Sequence, residues 1–159
     1  MPVVYLGLGS NIGDKQRNIT NALCLISEIC EVKKKSRMYL TEPVGNIEQD
    51  WFLNCVVEIE TEIEPKQLLS SFKSIERKLG RAKNVKNGPR IIDIDILFYG
   101  NNIVKTKNLV IPHPLLHQRL FVLQPMIDLN PDFIHPILKK SIQELYKNHP
   151  GKEKVLLDK

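Results

Sequence analysis

Apolar and polar positions follow two periods along this chain, and the switches between them predict its elements. Residues 3–9 (VVYLGLG) are an apolar run closed by a turn at Ser10-Asn11-Ile12-Gly13-Asp14, which reads as a buried strand followed by a helix cap. Ile19, Ala22, Leu23, Ile26 and Ile29 then recur at helical spacing and predict an amphipathic helix over 14–29. Residues 32–40 (VKKKSRMYL) predict one exposed, partly basic strand. In residues 51–60 (WFLNCVVEIE), Leu53, Cys55, Val57 and Ile59 share one face. Phe52, Asn54, Val56, Glu58 and Glu60 share the other. Pro65 suits a first helical turn, and Leu68, Leu69, Phe72, Ile75 and Leu79 carry that helix to Gly80. A further strand is predicted over 91–98 (IIDIDILF), then short strands near 102–111 and helical pieces near 115–127 and 139–148.

The order strand, helix, strand, strand, helix, strand is the ferredoxin-like split pattern. It predicts an α+β fold, a mostly antiparallel sheet with helices packed on one face. The other face would carry Phe52, Asn54, Asp93 and Asp95.

A length of 159 residues fits a single domain spanning 1–159, and 42% hydrophobic with 26% charged residues is an ordinary globular mixture. No apolar run approaches the ~20 residues of a membrane span, and the start Met1-Pro2-Val3-Val4 lacks a charged leader region, so a cytoplasmic protein is expected. Cys24, Cys30 and Cys55 form no C-x-x-C pair and are expected to be buried free thiols. The net charge of +5 favours an anionic partner: nucleic acid, a membrane surface or a polyphosphate.

The position of the charges narrows this. In GPRIIDIDIL (88–97) the isoleucines point inward, so Asp93 and Asp95 share the opposite face with backbones about 6–7 Å apart. Alone, the pair could be a solvated strand face. The segment before it, Arg81 to Arg90, carries four cationic side chains, and together they point to a site for Mg²⁺ and phosphate. Lys73 and Glu76 lie on the polar face of the preceding helix, where a carboxylate in the last turn is disfavoured by the helix dipole. Phe52 and Asn54 could stack on and hydrogen-bond a flat heterocycle, with Phe121 as a second aromatic wall. His113 and His117 are four apart, but Pro114 disfavours a helical metal pair, and Arg119 nearby favours phosphate contact. Gly7, Gly9 and Gly13 do not complete G-x-G-x-x-G, because Ile12 takes the third place, and no P-loop is present. A nucleic-acid-binding module using Lys33, Lys34 and Lys35 is the competing reading, weakened by 6% aromatic content and no stacking motif.

The chain resembles the 6-hydroxymethyl-7,8-dihydropterin pyrophosphokinase family along nearly its whole length. The resemblance rests on YLGLGSNIGD (5–14), YLTEPVG (39–45), QDWFLNCVVEIET (49–61), ERKLGR (76–81), GPRIIDIDIL (88–97) and IPHPLLHQRLFVLQPM (111–126). It implies a ferredoxin-like fold and transfer of pyrophosphate from ATP to the pterin alcohol with release of AMP. It implies two Mg²⁺ ions on Asp93 and Asp95, and Phe52 and Phe121 around the pterin. Asn54 and the backbone from Thr41 through Val44 to Gly45 would read the pterin edge. Lys73, Glu76, Arg81, Arg90, His113 and Arg119 fall at nucleotide positions, with Arg81 and Arg90 flanking the basic loop and acting in catalysis. Lys73 and Asn87 stand where some members carry Gln and Trp, and the basic loop is one residue shorter than in those members. The expected partners are ATP and the pterin, with no nucleic acid or membrane, in a monomer or weak homodimer.

Overall fold

The inward residues Val4, Leu6 and Leu8 place strand β1 (Val3–Ser10) at the centre of the molecule. The computed structural model describes all residues except 44–47, 81–88, 152 and 159. Helix α1 (Lys15–Ser27) begins at Asp14, whose carboxylate accepts the Arg17 N–H at 3.1 Å. It buries Ile19, Ala22 and Ile26. It stops short of the predicted end, and Ile29 lies exposed beyond it.

The stretch read as one strand over 32–40 is two: β2 (Glu31–Lys35) and β3 (Tyr39–Thr41). Both pair antiparallel with β4 (Phe52–Glu60), β2 along residues 57–60 and β3 along 52–54. The break falls where the Ser36 N–H and hydroxyl bond the Val56 backbone, leaving the two halves in separate registers. Pro65 opens α2 (Pro65–Lys78), which buries Leu68, Phe72 and Ile75. Gly80, at φ 98°, takes the left-handed turn that ends it. β5 (Asp93–Tyr99) follows, then a two-stranded ribbon of β6 (Val104–Lys105) and β7 (Val110–Ile111). Beyond a 3₁₀ turn at Leu116–Gln118 come α3 (Leu120–Leu129), α4 (Ile142–Lys147) and an unforeseen strand β8 (Val155–Leu157).

The main sheet runs β5-β1-β4-β3-β8, with β2 also on β4, and every described pairing in it is antiparallel. Its first four members reproduce the ferredoxin-like arrangement expected of β1-α1-β-β-α2-β. α1 and α2 cover one face around Leu6, Leu8, Val57, Ile59, Ile94 and Ile96, as predicted. The other face is not left bare: α3 and α4 bury Val122, Leu123, Met126, Ile142 and Leu145 against Tyr5, Val56 and Phe98. A bulge explains part of this second core. Leu6 faces Ile96 and Tyr5 faces Phe98, so Leu97 is an extra residue, and Leu97 and Phe98 fall on the same side. Of the thiols, Cys30 and Cys55 are buried, whereas Cys24 is exposed.

Candidate active site

Strand register builds the floor of the site. On the face away from α1 and α2, Asp93 pairs with Gly9, which pairs in turn with Asn54, and Asp95 pairs with Gly7. Two glycines between the acidic strand and β4 leave the floor without side chains there. Asp93 and Asn54 are thus separated by two strand spacings, about 10 Å, enough to seat a phosphate chain beside a flat ring. At Gly9 the close approach is specific: a Cβ would lie 2.6 Å from Asn54 Oδ1. Asn54 is buried, and its Nδ2 donates to Thr41 Oγ1 at 2.6 Å, which fixes the amide plane.

The floor opens into a cleft. Thr41, Phe52, Asn54, Arg90, Asp93, Asp95, His113, Arg119 and Phe121, all singled out from the sequence, line it. The Arg119 guanidinium lies 5.4 Å from the Phe121 ring centroid. Lys73 and Glu76 do not line the cleft. Lys73 Nζ sits 3.7 Å from Glu76 Oε1, and the buried Glu76 Oε2 accepts the Ile94 N–H at 2.8 Å. Glu76 therefore steadies the backbone between the two aspartates. Val44, Gly45 and Arg81, with most of the basic loop, lie outside the described residues.

Arg90 is held from both sides. Its N–H donates to Asn11 Oδ1 at 2.7 Å, and its carbonyl accepts the Asn11 N–H at 3.0 Å. Asn11 Nδ2 also donates to Gln49 Oε1 and to the Asp50 carbonyl, so this one asparagine joins the ends of β1, β4 and β5. Sequence reading took Asn11 as part of a capping turn; only the tertiary contacts show the junction. Arg90 Nη1 bonds Asp93 Oδ2 at 3.1 Å, while its buried Nε has no hydrogen-bond partner among the described residues. Glu42, inside the Thr41–Gly45 stretch expected at the ring edge but not singled out, lines the cleft beside Thr41.

Among the described residues, burial and neighbouring charges shift two groups of the site. Burial, then the adjacent Asp93 carboxylate, raise the Asp95 carboxyl well above the usual range, with Arg119 opposing. His113 is pushed down to about 4 by burial and by Arg119, with Asp93 opposing. Its Nδ1 accepts the Leu115 N–H at 3.2 Å, so the neutral ring carries its hydrogen on Nε2. His117 lies in the 3₁₀ turn and does not line the cleft. Among the described residues no group of three or more His, Cys, Asp or Glu side chains could hold a metal. The adjacent carboxylates of Asp93 and Asp95 nevertheless fit Mg²⁺, which takes one or two protein carboxylates and completes its shell with water and phosphate.

Outside the cleft, buried His135 is also lowered to about 4 by burial, its Nδ1 accepting from Ile137 and Leu138 N–H. As pH falls from about 6.5 toward 4, the unfolded chain takes protons that His113 and His135 decline, so each removes stability, up to about 3 kcal/mol. Asp95 works in the opposite direction, since its raised affinity adds stability as pH falls toward 4. His135→Gln should therefore leave a less negative trend in stability on acidification than the wild type, measured by urea denaturation from pH 7 to pH 5. Parallel trends in the two proteins would place the His135 proton affinity at its ordinary value.

The ferredoxin-like sheet, with paired carboxylates and arginines at one end of a cleft and an aromatic-amide slot at the other, defines an enzyme of the phosphotransferase class. The chain belongs to the 7,8-dihydro-6-hydroxymethylpterin-pyrophosphokinase family, whose model matches residues 5–131. It is 42% identical over 144 residues to the 2-amino-4-hydroxy-6-hydroxymethyldihydropteridine pyrophosphokinase of Aquifex aeolicus, covering 91% of this chain and 90% of that one. It is 44% identical over 149 residues to the folic acid synthesis protein FOL1 of Dictyostelium discoideum, covering 94% of this chain but 23% of that longer protein. The wild-type HPPK-DHPS crystal structure from Plasmodium falciparum shares the fold at a TM-score of 0.73 and 19% identity, over 92% of this chain and 44% of that one. No helix among the described residues is long and apolar enough to cross a membrane.

Proposed function

We propose that this chain transfers the pyrophosphoryl group of ATP to 6-hydroxymethyl-7,8-dihydropterin, a step of folate synthesis, with AMP as the other product. The observation that carries this reading is the pairing of Asp93 with Gly9 and of Gly9 with Asn54, which sets a polyanion site beside a heterocycle slot in one cleft. The pterin lies between Phe52 and Phe121, and Asn54, its amide plane fixed by Thr41, reads the ring edge.

Asp93 and Asp95 would hold two Mg²⁺ ions, whose charge would neutralise the phosphates and polarise the attacking hydroxyl. Arg90, Arg119 and His113 bind the phosphate oxygens, joined by Arg81, while Lys73 and Glu76 stand at the nucleotide end. The pterin hydroxymethyl oxygen forms a bond to the β-phosphorus as the bond from that phosphorus to the α–β bridging oxygen breaks. AMP leaves with the electron pair, and the hydroxyl proton passes to solvent. The chain's part is placement and charge.

Incubation with ATP, Mg²⁺ and the pterin alcohol should yield AMP and pterin diphosphate one for one; ADP instead of AMP would overturn the reading. Phe121→Ala should weaken pterin binding by roughly 1–3 kcal/mol, the scale of one lost stacking partner, with ATP affinity measured alone within about twofold. Calorimetry showing the nucleotide weakened and the pterin untouched would move Phe121 out of the slot.

A further inference from the structure

The family match ends at residue 131, yet the C-terminal segment touches both walls of the cleft. His149 Nδ1 accepts the Gly151 N–H at 2.9 Å, so its hydrogen sits on Nε2 and is donated to the Gln118 carbonyl at 2.9 Å. Glu153 Oε2 accepts the Leu120 N–H at 3.1 Å, between Arg119 and Phe121. At the next residue the segment is on the opposite wall. The Lys154 N–H donates to Glu42 Oε1 at 2.9 Å, Val155 pairs with Thr41, and the Asp158 N–H reaches the Met38 carbonyl.

Two further facts separate this from ordinary packing. β8 adds little to either core, since Leu156 and Leu157 are exposed. And α3 begins without a cap of its own: Arg119 makes no side-chain cap bond, and the first turn holds no acidic residue. Glu153 supplies both the missing acceptor and the missing negative charge from outside the helix. The far end of α3 is tied to β3 independently, through Asp128, which accepts from the Tyr39 hydroxyl at 2.7 Å and from Arg37 Nη2 at 2.8 Å.

We propose that Glu153 is a positioning residue for the pterin slot. It fixes the end of α3 that carries Phe121, and through the strand that follows it sets that wall's distance from the wall carrying Thr41. This rests on the reading of the cleft as the pterin site. Because consecutive residues Glu153 and Lys154 bond opposite walls, the slot's width depends on a hydrogen bond remote from the phosphates. Pterin affinity should follow Glu153, and ATP affinity should not.

The test is equilibrium binding of each substrate to Glu153→Ala and Glu153→Gln in the full chain. Glu153→Ala should weaken pterin binding about tenfold with ATP affinity within about twofold, and Glu153→Gln, which keeps an acceptor, should stay within about threefold of wild type. The double variant with Phe121→Ala should bind pterin no more weakly than Phe121→Ala alone, because both act on the same wall. Unchanged pterin affinity in Glu153→Ala, or penalties that add in full in the double variant, would overturn the proposal. Should Glu153→Ala prove too unstable to assay, His149→Ala frees the same wall at Gln118 and carries the same two outcomes. A wild-type chain that bound no pterin would instead sink the functional reading on which this rests.

Discussion

Asp95→Asn is expected to lower turnover at least ~10³-fold, and Asp93→Asn likewise, because neutralising a polyphosphate contributes several kcal/mol to transition-state stability. The two variants should differ in stability. Asp95 carries a charge that burial and Asp93 both disfavour, so its neutral replacement should melt no lower than wild type in the absence of metal. Asp93 is paired with Arg90 at 3.1 Å, and its replacement leaves that guanidinium short of a partner. Asp93→Asn should therefore melt somewhat lower. Steady-state AMP release and thermal melting measure the two effects separately. Near-normal turnover in both variants would refute the assignment of the pair to metal and phosphate.

Arg90→Ala is expected to slow the chemical step about 10²–10³-fold, the usual effect of removing one preorganised donor, while ATP binding weakens less than tenfold. The side chain is mostly enclosed, yet its Nε makes no hydrogen bond among the described residues, which fits the phosphate role proposed for it. Both backbone groups of Arg90 are bonded to Asn11, so truncating the side chain leaves the main chain in place. Single-turnover kinetics distinguish the outcomes. A loss confined to ATP affinity, with the chemical step unchanged, would make Arg90 a ground-state anchor only.

The parts legible in the sequence were those set by alternation over a long run. β1, β4 and β5 were readable because one face of each is continuously apolar, and that alone put Phe52, Asn54, Asp93 and Asp95 on a common surface. The β2–β3 break was not readable, because it depends on Ser36 meeting Val56, twenty residues away. The second core was hidden by the bulge at Leu97, which sets two consecutive residues on one side where strict alternation predicts opposite sides. β8 was not readable although Val155, Leu156 and Leu157 are all apolar, because so short a run without alternation does not single out a strand and its leucines stay exposed. Glu76 was noticed for its awkward place near a helix end; its partner, the Ile94 N–H, could be seen only in three dimensions. Among the site residues, the resemblance to the pterin pyrophosphokinases assigned roles that the pattern alone left open.

The outer margin of β5 has a bearing on solution behaviour. β5 is the last strand of the main sheet, with β1 on one side only. On the other side, the Glu76 carboxylate accepts the Ile94 N–H, and the His113 N–H donates to the Leu97 carbonyl. An unpaired strand margin invites addition of a strand from a neighbouring molecule, the first step of ordered aggregation. Here the groups that steady the strand carrying Asp93 and Asp95 also deny that margin to other chains. Loss of Glu76 would therefore show itself as reduced shelf life at high protein concentration as well as reduced turnover.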